Sequence, residues 1–345
     1  MHRMGYKGWV LVVALFCFVL LMAACSAAPK TEQSQSNIEQ STATNGEGAD
    51  EAATSTETGT DTYPRTIQTA RGDMEIEQQP KKIALAHWGL SDDLLVFDLD
   101  SVAITLPFTE EQSLLKSDIY KPYVEGISNL EVVGENTQVN LEALLAYEPD
   151  LIIAGNVTNK DILEQLDQIA PTVVVDEEKQ DVFKEWRAVI TEFGHILGQE
   201  DAAKAYTDDF EQKLVEGKNK LQSVEGSVAF LQIREKQAYL QSAEYITEYY
   251  EGLGLTPPAT EAAGELTLEG IAKLDPDYLI LGYFNMEDSS LPAVTDEWEK
   301  SEVWKGLKAV KNGQVYKING QVAFGFGPVS KTYGVETITE SLQAK

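Results

Sequence analysis

The body of this chain has no cysteine. Its two, Cys17 and Cys25, fall within the first 25 of 345 residues. That excludes disulfides, thiolate metal ligands and cysteine nucleophiles from everything that follows. Histidine is nearly as scarce, with His87 and His195 the two beyond the N-terminal segment. A direct zinc or manganese site wants more imidazoles than that. Positive charge is also in deficit: 27 Lys plus Arg stand against 56 Asp plus Glu, a net charge of −29. Such a surface disfavours nucleic acid, which is bound by neutralising phosphates, and anionic lipid. G-x-S-x-G, a phosphate loop and a spaced His–acid pair are all missing from the sequence. An extracellular enzyme is therefore a weak alternative, with His87 its sole base near a predicted cleft.

The chain opens with a basic start at His2, Arg3 and Lys7, then an uncharged run from Trp9 to Ala24. The run is shorter than the roughly 20 apolar residues of a spanning helix and ends in small residues, as export signals do. Leu21-Met22-Ala23-Ala24 before Cys25 resembles the bacterial lipoprotein processing signal. Residues 1–24 are read as the signal peptide and Cys25 as the lipidated first residue of the mature chain. Two acyl chains there would give stable anchoring at the outer face of the cytoplasmic membrane. Residues 26–62 are rich in Ser, Thr, Glu, Gln, Gly and Ala and cannot bury a core. Cys25 and this stretch form a tether, 25–62, whose disordered part reaches about 35 Å.

From Tyr63 onward strands alternate with helices. Hairpin-like alternation surrounds Arg71-Gly72-Asp73, and strands are expected at Lys82–Ala86, Val102–Leu106, Leu151–Ala154 and Thr172–Val175. From Asp181 to Ser223 apolar residues recur at helical spacing, broken once at Gly198-Gln199-Glu200-Asp201. A helix of about 40 residues would span about 60 Å, too long for one lobe. A second α/β region follows, with strands at Ser227–Arg234, Ala238–Gln241, Tyr278–Leu281 and Gln314–Ile318 and a closing helix at Val329–Leu342. The expected fold is α/β, two lobes with mostly parallel central sheets flanked by helices, joined by a single long backbone helix. Residues 63–180 form the first lobe, 181–223 the interlobe helix and 224–345 the second lobe.

The most informative feature is a repeat. Asn140–Gly155 reads N-L-E-A-L-L-A-Y-E-P-D-L-I-I-A-G, and Thr267–Gly282 reads T-L-E-G-I-A-K-L-D-P-D-Y-L-I-L-G. Each unit runs from a cap residue through Leu-Glu and a short helix to an acidic residue, Pro-Asp, an apolar strand and Gly. One unit per half implies two similar lobes with a cleft between them. Two matched acidic points, Glu142 and Glu269, imply a partner that is itself two-fold.

Together with Pro80–Leu85, Ile169-Ala170-Pro171-Thr172 and Leu307–Tyr316, the repeat resembles a known family over roughly residues 63–345. These are the substrate-binding lipoproteins of bacterial ABC importers for ferric siderophores and cobalamin. The resemblance implies a monomer that captures a ferric siderophore in an interlobe cleft and delivers it to an ABC permease dimer. It implies no cofactor and no direct protein ligand to the metal. It assigns Glu142 and Glu269 to salt bridges with permease arginines. A first-turn carboxylate stays ionised at the positive end of its helix and can be met bidentately by arginine. Haem and cobalamin are alternative ligands of the same architecture.

In open α/β lobes, ligands bind beyond the carboxyl ends of the strands. That rule points to His87-Trp88, Arg234, Tyr283-Phe284-Asn285 and Phe324-Gly325-Phe326. The ligand-binding candidates are Trp88, Arg234, Tyr239, Tyr283 and Phe326: one cation for an anionic group and aromatic faces for a bulky ligand. Trp186, Arg187 and Trp304 are read as structural.

Overall fold

Long apolar runs such as Leu151-Ile152-Ile153-Ala154 and Thr172-Val173-Val174-Val175 are buried at every position, as a sheet covered on both faces requires. A computed structural model describes residues 63–259, 263–286, 288 and 290–343. The expected signal peptide, Cys25 and the tether lie outside the described residues. No helix among the described residues is long and apolar enough to cross a membrane.

The hairpin is β1 (Arg65–Thr69) with β2 (Gly72–Ile76). The first large sheet contains β3 (Lys82–Leu85), β4 (Ser101–Thr105), β5 (Asn129–Glu135), β6 (Gln138–Val139), β7 (Leu151–Gly155) and β8 (Thr172–Val175), in the order β6-β5-β4-β3-β7-β8. All its pairings are parallel except that of β5 with β6. The second contains β9 (Val228–Ile233), β10 (Ala238–Leu240), β11 (Gly264–Glu265), β12 (Tyr278–Tyr283) and β13 (Val315–Asn319), in the order β11-β10-β9-β12-β13. Its β9-β12-β13 half is parallel and its β9-β10-β11 half antiparallel.

The repeated sequence builds the same device in both lobes. The Asn140 side chain caps the Leu141–Tyr147 helix, accepting from the N–H groups of Glu142 and Ala143 at 3.1 Å each. Thr267 caps the Leu268–Leu274 helix through the Gly270 N–H at 3.2 Å. Each helix ends on an acidic residue in the left-handed region, Glu148 at φ 53° and Asp275 at φ 40°. The next residue is proline, which turns the chain away from the helix. The following aspartate then ties the neighbouring strand. Asp150 accepts from the N–H groups of Lys81 and Lys82 at 3.0 and 2.9 Å. Asp277 accepts from the Ser227 N–H at 2.8 Å.

The segment 181–223 is not one rod of about 60 Å. It holds two helices, Trp186–Leu197 and Glu200–Lys220. Between them Gly198 takes a φ of 69°, a left-handed turn that glycine adopts without steric cost. The helices fold back on each other. The Trp186 ring packs 5.0 Å from Phe210, and Arg187 donates to Glu211 at 2.8 Å. The second helix, 21 residues and about 32 Å long, is the single long helix that joins the lobes. At its start Glu200 pairs with Arg65 of the hairpin. Near its end Gly217 lies against Leu253 and Thr339 of the second lobe.

One apolar core runs from Ile83 and Leu85 through Trp186, Phe193 and Phe210 to Tyr249 and Ile338. Smaller cores lie beneath the repeat helices, around Leu144 and Tyr147 in one lobe and Ile271 and Trp304 in the other. Continuity of the main core through the junction ties the lobes together.

Candidate functional site

A cavity of about 680 Å³ opens between the lobes. Trp88 follows β3, Leu106 and Pro107 follow β4, Arg234 follows β9 and Phe284 follows β12, and all line it. The site thus lies beyond the carboxyl ends of parallel strands from both sheets.

Aromatic rings form part of its wall: Trp88, Tyr245 and Phe326 line it and are joined through Phe183, which does not. Trp88 and Phe183 are 5.5 Å apart, Phe183 and Phe326 4.8 Å, and Phe326 and Tyr245 5.9 Å. Such tilted and edge-on pairs hold each other's rotamers. Behind the wall, His87 is fully buried. Its Nδ1 accepts from the Gly89 N–H at 3.1 Å, which leaves the proton on Nε2, 3.1 Å from a Glu177 carboxylate oxygen. Burial opposes ionisation of Glu177. Hydrogen bonds from His87, from the Thr158 hydroxyl and from the N–H groups of Thr158 and Val157 override it and bring its pKa down to about 2. This anionic anchor fixes the turn that carries Trp88.

Arg234 supplies the cavity's positive charge. Its guanidinium carbon lies 3.7 Å from the centre of the Phe284 ring. With the Gln232 amide oxygen turned toward it, Nε and Nη2 both donate to that oxygen at 2.7 Å. Among the described residues no carboxylate pairs with it, and adjacent Glu235 pairs with Lys236 at 3.3 Å. Burial lowers the pKa of the guanidinium from its ordinary value, yet arginine stays charged at any physiological pH.

The floor joins the lobes. Asp92 accepts from the Ser330 N–H and hydroxyl at 2.9 and 2.6 Å and from the Tyr120 hydroxyl at 2.8 Å. Burial raises its pKa, against the pull of those hydrogen bonds. Among the described residues no group of three or more His, Cys, Asp or Glu could hold a metal ion.

Of the five ligand candidates, Trp88, Arg234 and Phe326 line this cavity and Tyr239 and Tyr283 do not. Tyr283 belongs to the second lobe's outer core, its hydroxyl 2.8 Å from that of Thr295. The cause is strand parity: Leu279, Leu281 and Tyr283 face outward to that core, and the next residue, Phe284, lines the cavity. Tyr239 lines a shallow neighbouring depression beside Arg234, with its hydroxyl donating to Gln237 at 2.8 Å. Sequence reasoning missed Tyr120 and Tyr245 of the lining, because the strand-end rule looks only at residues that directly follow strands.

Glu142 and Glu269 are exposed, and neither carboxylate has a partner among the described residues. Each repeat helix returns through three residues to the strand that follows it, so helix and strand run antiparallel. Both glutamates, in the first turns, therefore stand at the carboxyl-end edge of their sheets, the edge at which the cavity opens.

The chain resembles iron-binding proteins. It is 27% identical to the Fe(3+)-citrate-binding protein YfmC of Bacillus subtilis (strain 168), across 86% of each chain. It is 26% identical to the iron(3+)-hydroxamate-binding protein FhuD of the same organism, across 95% of this chain and 96% of that one. Among solved structures it shares the fold of the triscatecholate siderophore binding protein FeuA from Bacillus subtilis complexed with ferri-bacillibactin. The TM-score is 0.63 at 23% identity, covering 81% of this chain and 99% of that one. Staphylococcus aureus SirA complexed with staphyloferrin B superposes with a TM-score of 0.62 at 22% identity, covering 81% and 98%. Residues 107–322 match the family described as periplasmic binding protein, and the chain belongs to that family.

Proposed function

We propose that this protein captures a ferric siderophore in the interlobe cavity and delivers it to an ABC permease. No bond is made or broken. The siderophore satisfies the iron's coordination, so the protein recognises the outside of the complex. The observation that carries this reading is Arg234: a charged group stacked on Phe284, free of any carboxylate among the described residues, in one cavity with Trp88 and Phe326. A cation stacked on an aromatic face and without a carboxylate partner among the described residues suits a bulky ligand that brings oxygen acceptors. The names of the iron-binding relatives support the same ligand class.

Delivery rests on Glu142 and Glu269, exposed, unpaired and on the cavity edge of their lobes, ready for arginines of a two-fold permease. Cys25 is the proposed lipid anchor and 25–62 the tether that holds the binding unit near the outer face of the membrane.

Titrating the full chain with ferric siderophores while recording tryptophan fluorescence tests the reading. Saturable quenching at one site is expected, and Trp88→Phe should remove most of it because Trp88 lines the cavity. An unchanged signal with every ferric siderophore, or quenching by haem or cobalamin instead, contradicts it.

A further inference from the structure

The charged groups that line the cavity are few. Among the described residues they are Arg234 and Asp92. Asp92 is already occupied: its two oxygens accept from Tyr120 and twice from Ser330. Lys331 sits close by but does not line the cavity; it is buried beneath Tyr245 and turned to Glu248 at 3.7 Å. Outside the cavity, the chain as a whole carries −29. One arginine can therefore meet one negative group, and the surrounding field repels any further negative charge.

The rest of the lining is neutral. Gln241, Gln321, Thr109 and Ser113 bring amides and hydroxyls, and Trp88, Phe284 and Phe326 bring apolar faces. Such a wall hydrogen-bonds to carbonyl-type oxygens and covers methylene chains. It has nothing to neutralise a multiply charged anion, whose unpaired charges would be desolvated at a cost.

Ferric siderophores differ in this property. Three hydroxamates, each singly negative, cancel the charge of ferric iron and leave a neutral complex. Three catecholates, each doubly negative, leave a trianion. We infer that this cavity is built for a ferric complex of the trihydroxamate kind, neutral or at most singly negative, with Arg234 held on Phe284 and Gln232 as its single charge-reading group. The inference rests on the carrier reading and narrows its ligand class.

The test is a fluorescence titration of the full chain with three probes: a neutral cyclic ferric trihydroxamate, a ferric triscatecholate and ferric citrate. The trihydroxamate should bind more tightly than the triscatecholate by at least about a hundredfold, the equivalent of two unpaired charges at roughly tenfold each. Its affinity should also change by less than about twofold between low and high salt, since a neutral ligand is not screened. Equal or tighter binding of the triscatecholate, or of ferric citrate, overturns the charge-class inference and leaves the carrier reading standing. Binding of none of the three overturns both.

Discussion

On the proposed reading, ligand recognition turns on Arg234. Replacing it with glutamine keeps hydrogen-bonding capacity and removes the charge and the stack on Phe284. The expected result is a loss of ferric-ligand affinity of about ten- to a hundredfold. The thermal midpoint should stay unchanged, because no carboxylate among the described residues is left without its partner. A second residue predicts a pH effect. Burial, then nearby Asp176, pushes Glu192 up to about 7 from its ordinary 4.5. Below about pH 4.5 the side chain is neutral in folded and unfolded chains alike and costs nothing. As pH rises toward 7 the unfolded chain ionises first, and that stability is lost. Glu192→Gln should therefore raise the melting temperature at pH 8 by a few degrees, about 1–2 kcal/mol, and leave it unchanged at pH 4. Residue-level legibility was uneven. The rule that ligands gather beyond strand ends picked out Trp88, Arg234 and Phe326, which line the cavity. It also led to Tyr283 where Phe284 lines the cavity, because a strand end read from sequence is uncertain by a residue and one residue reverses the face.

At the scale of elements, the repeat separates residues that fold from residues that face outward. Asp150 and Asp277 hold the neighbouring strands, and Asp277 also pairs with Lys308. Glu142 and Glu269, eight residues earlier in each unit, hold nothing among the described residues. Asp150→Ala and Asp277→Ala should each cost about 1 kcal/mol in urea denaturation, since N–H groups at the starts of the neighbouring strands lose their acceptor. Glu142→Ala with Glu269→Ala should shift the urea midpoint little, leave ligand titrations unchanged and abolish iron uptake by cells. Persisting uptake in that double variant removes the docking assignment. The repeat was legible because caps, a left-handed acidic residue and Pro-Asp are local chemistry. The β5–β6 pair was not, because Asn129–Val132 alternates exposed with half-buried positions and lacks the apolar run that marked β7 and β12. The fold-back after Gly198 was hidden too: a glycine in a helical pattern marks a break but not its angle. Gly198→Ala should cost about 1 kcal/mol for a φ of 69°.

The whole molecule is bridged by more than its joining helix. Ser330 of the terminal helix is clasped by Asp92, and the Tyr206 hydroxyl lies 2.9 Å from that of Thr332. Glu248 accepts from the Trp186 indole at 3.3 Å and pairs with Arg187 at 3.6 Å and with buried Lys331 at 3.7 Å. With the shared core, these contacts oppose a wide hinge motion. Small-angle scattering of the empty and loaded protein should give radii of gyration that agree to within about 1 Å. The sequence showed one long helical segment, 181–223, with a break at Gly198. The packed junction of its two helices with the terminal helix and the buried Glu248 group is built from tertiary contacts that no local pattern reveals.

The most direct measurement is the anomalous diffraction signal of iron in crystals of the protein loaded with a ferric siderophore. The account predicts one iron peak inside the interlobe cavity, between Trp88 and Arg234, with every iron ligand supplied by the siderophore. An iron peak outside that cavity, or one coordinated by a side chain of this protein, would contradict it.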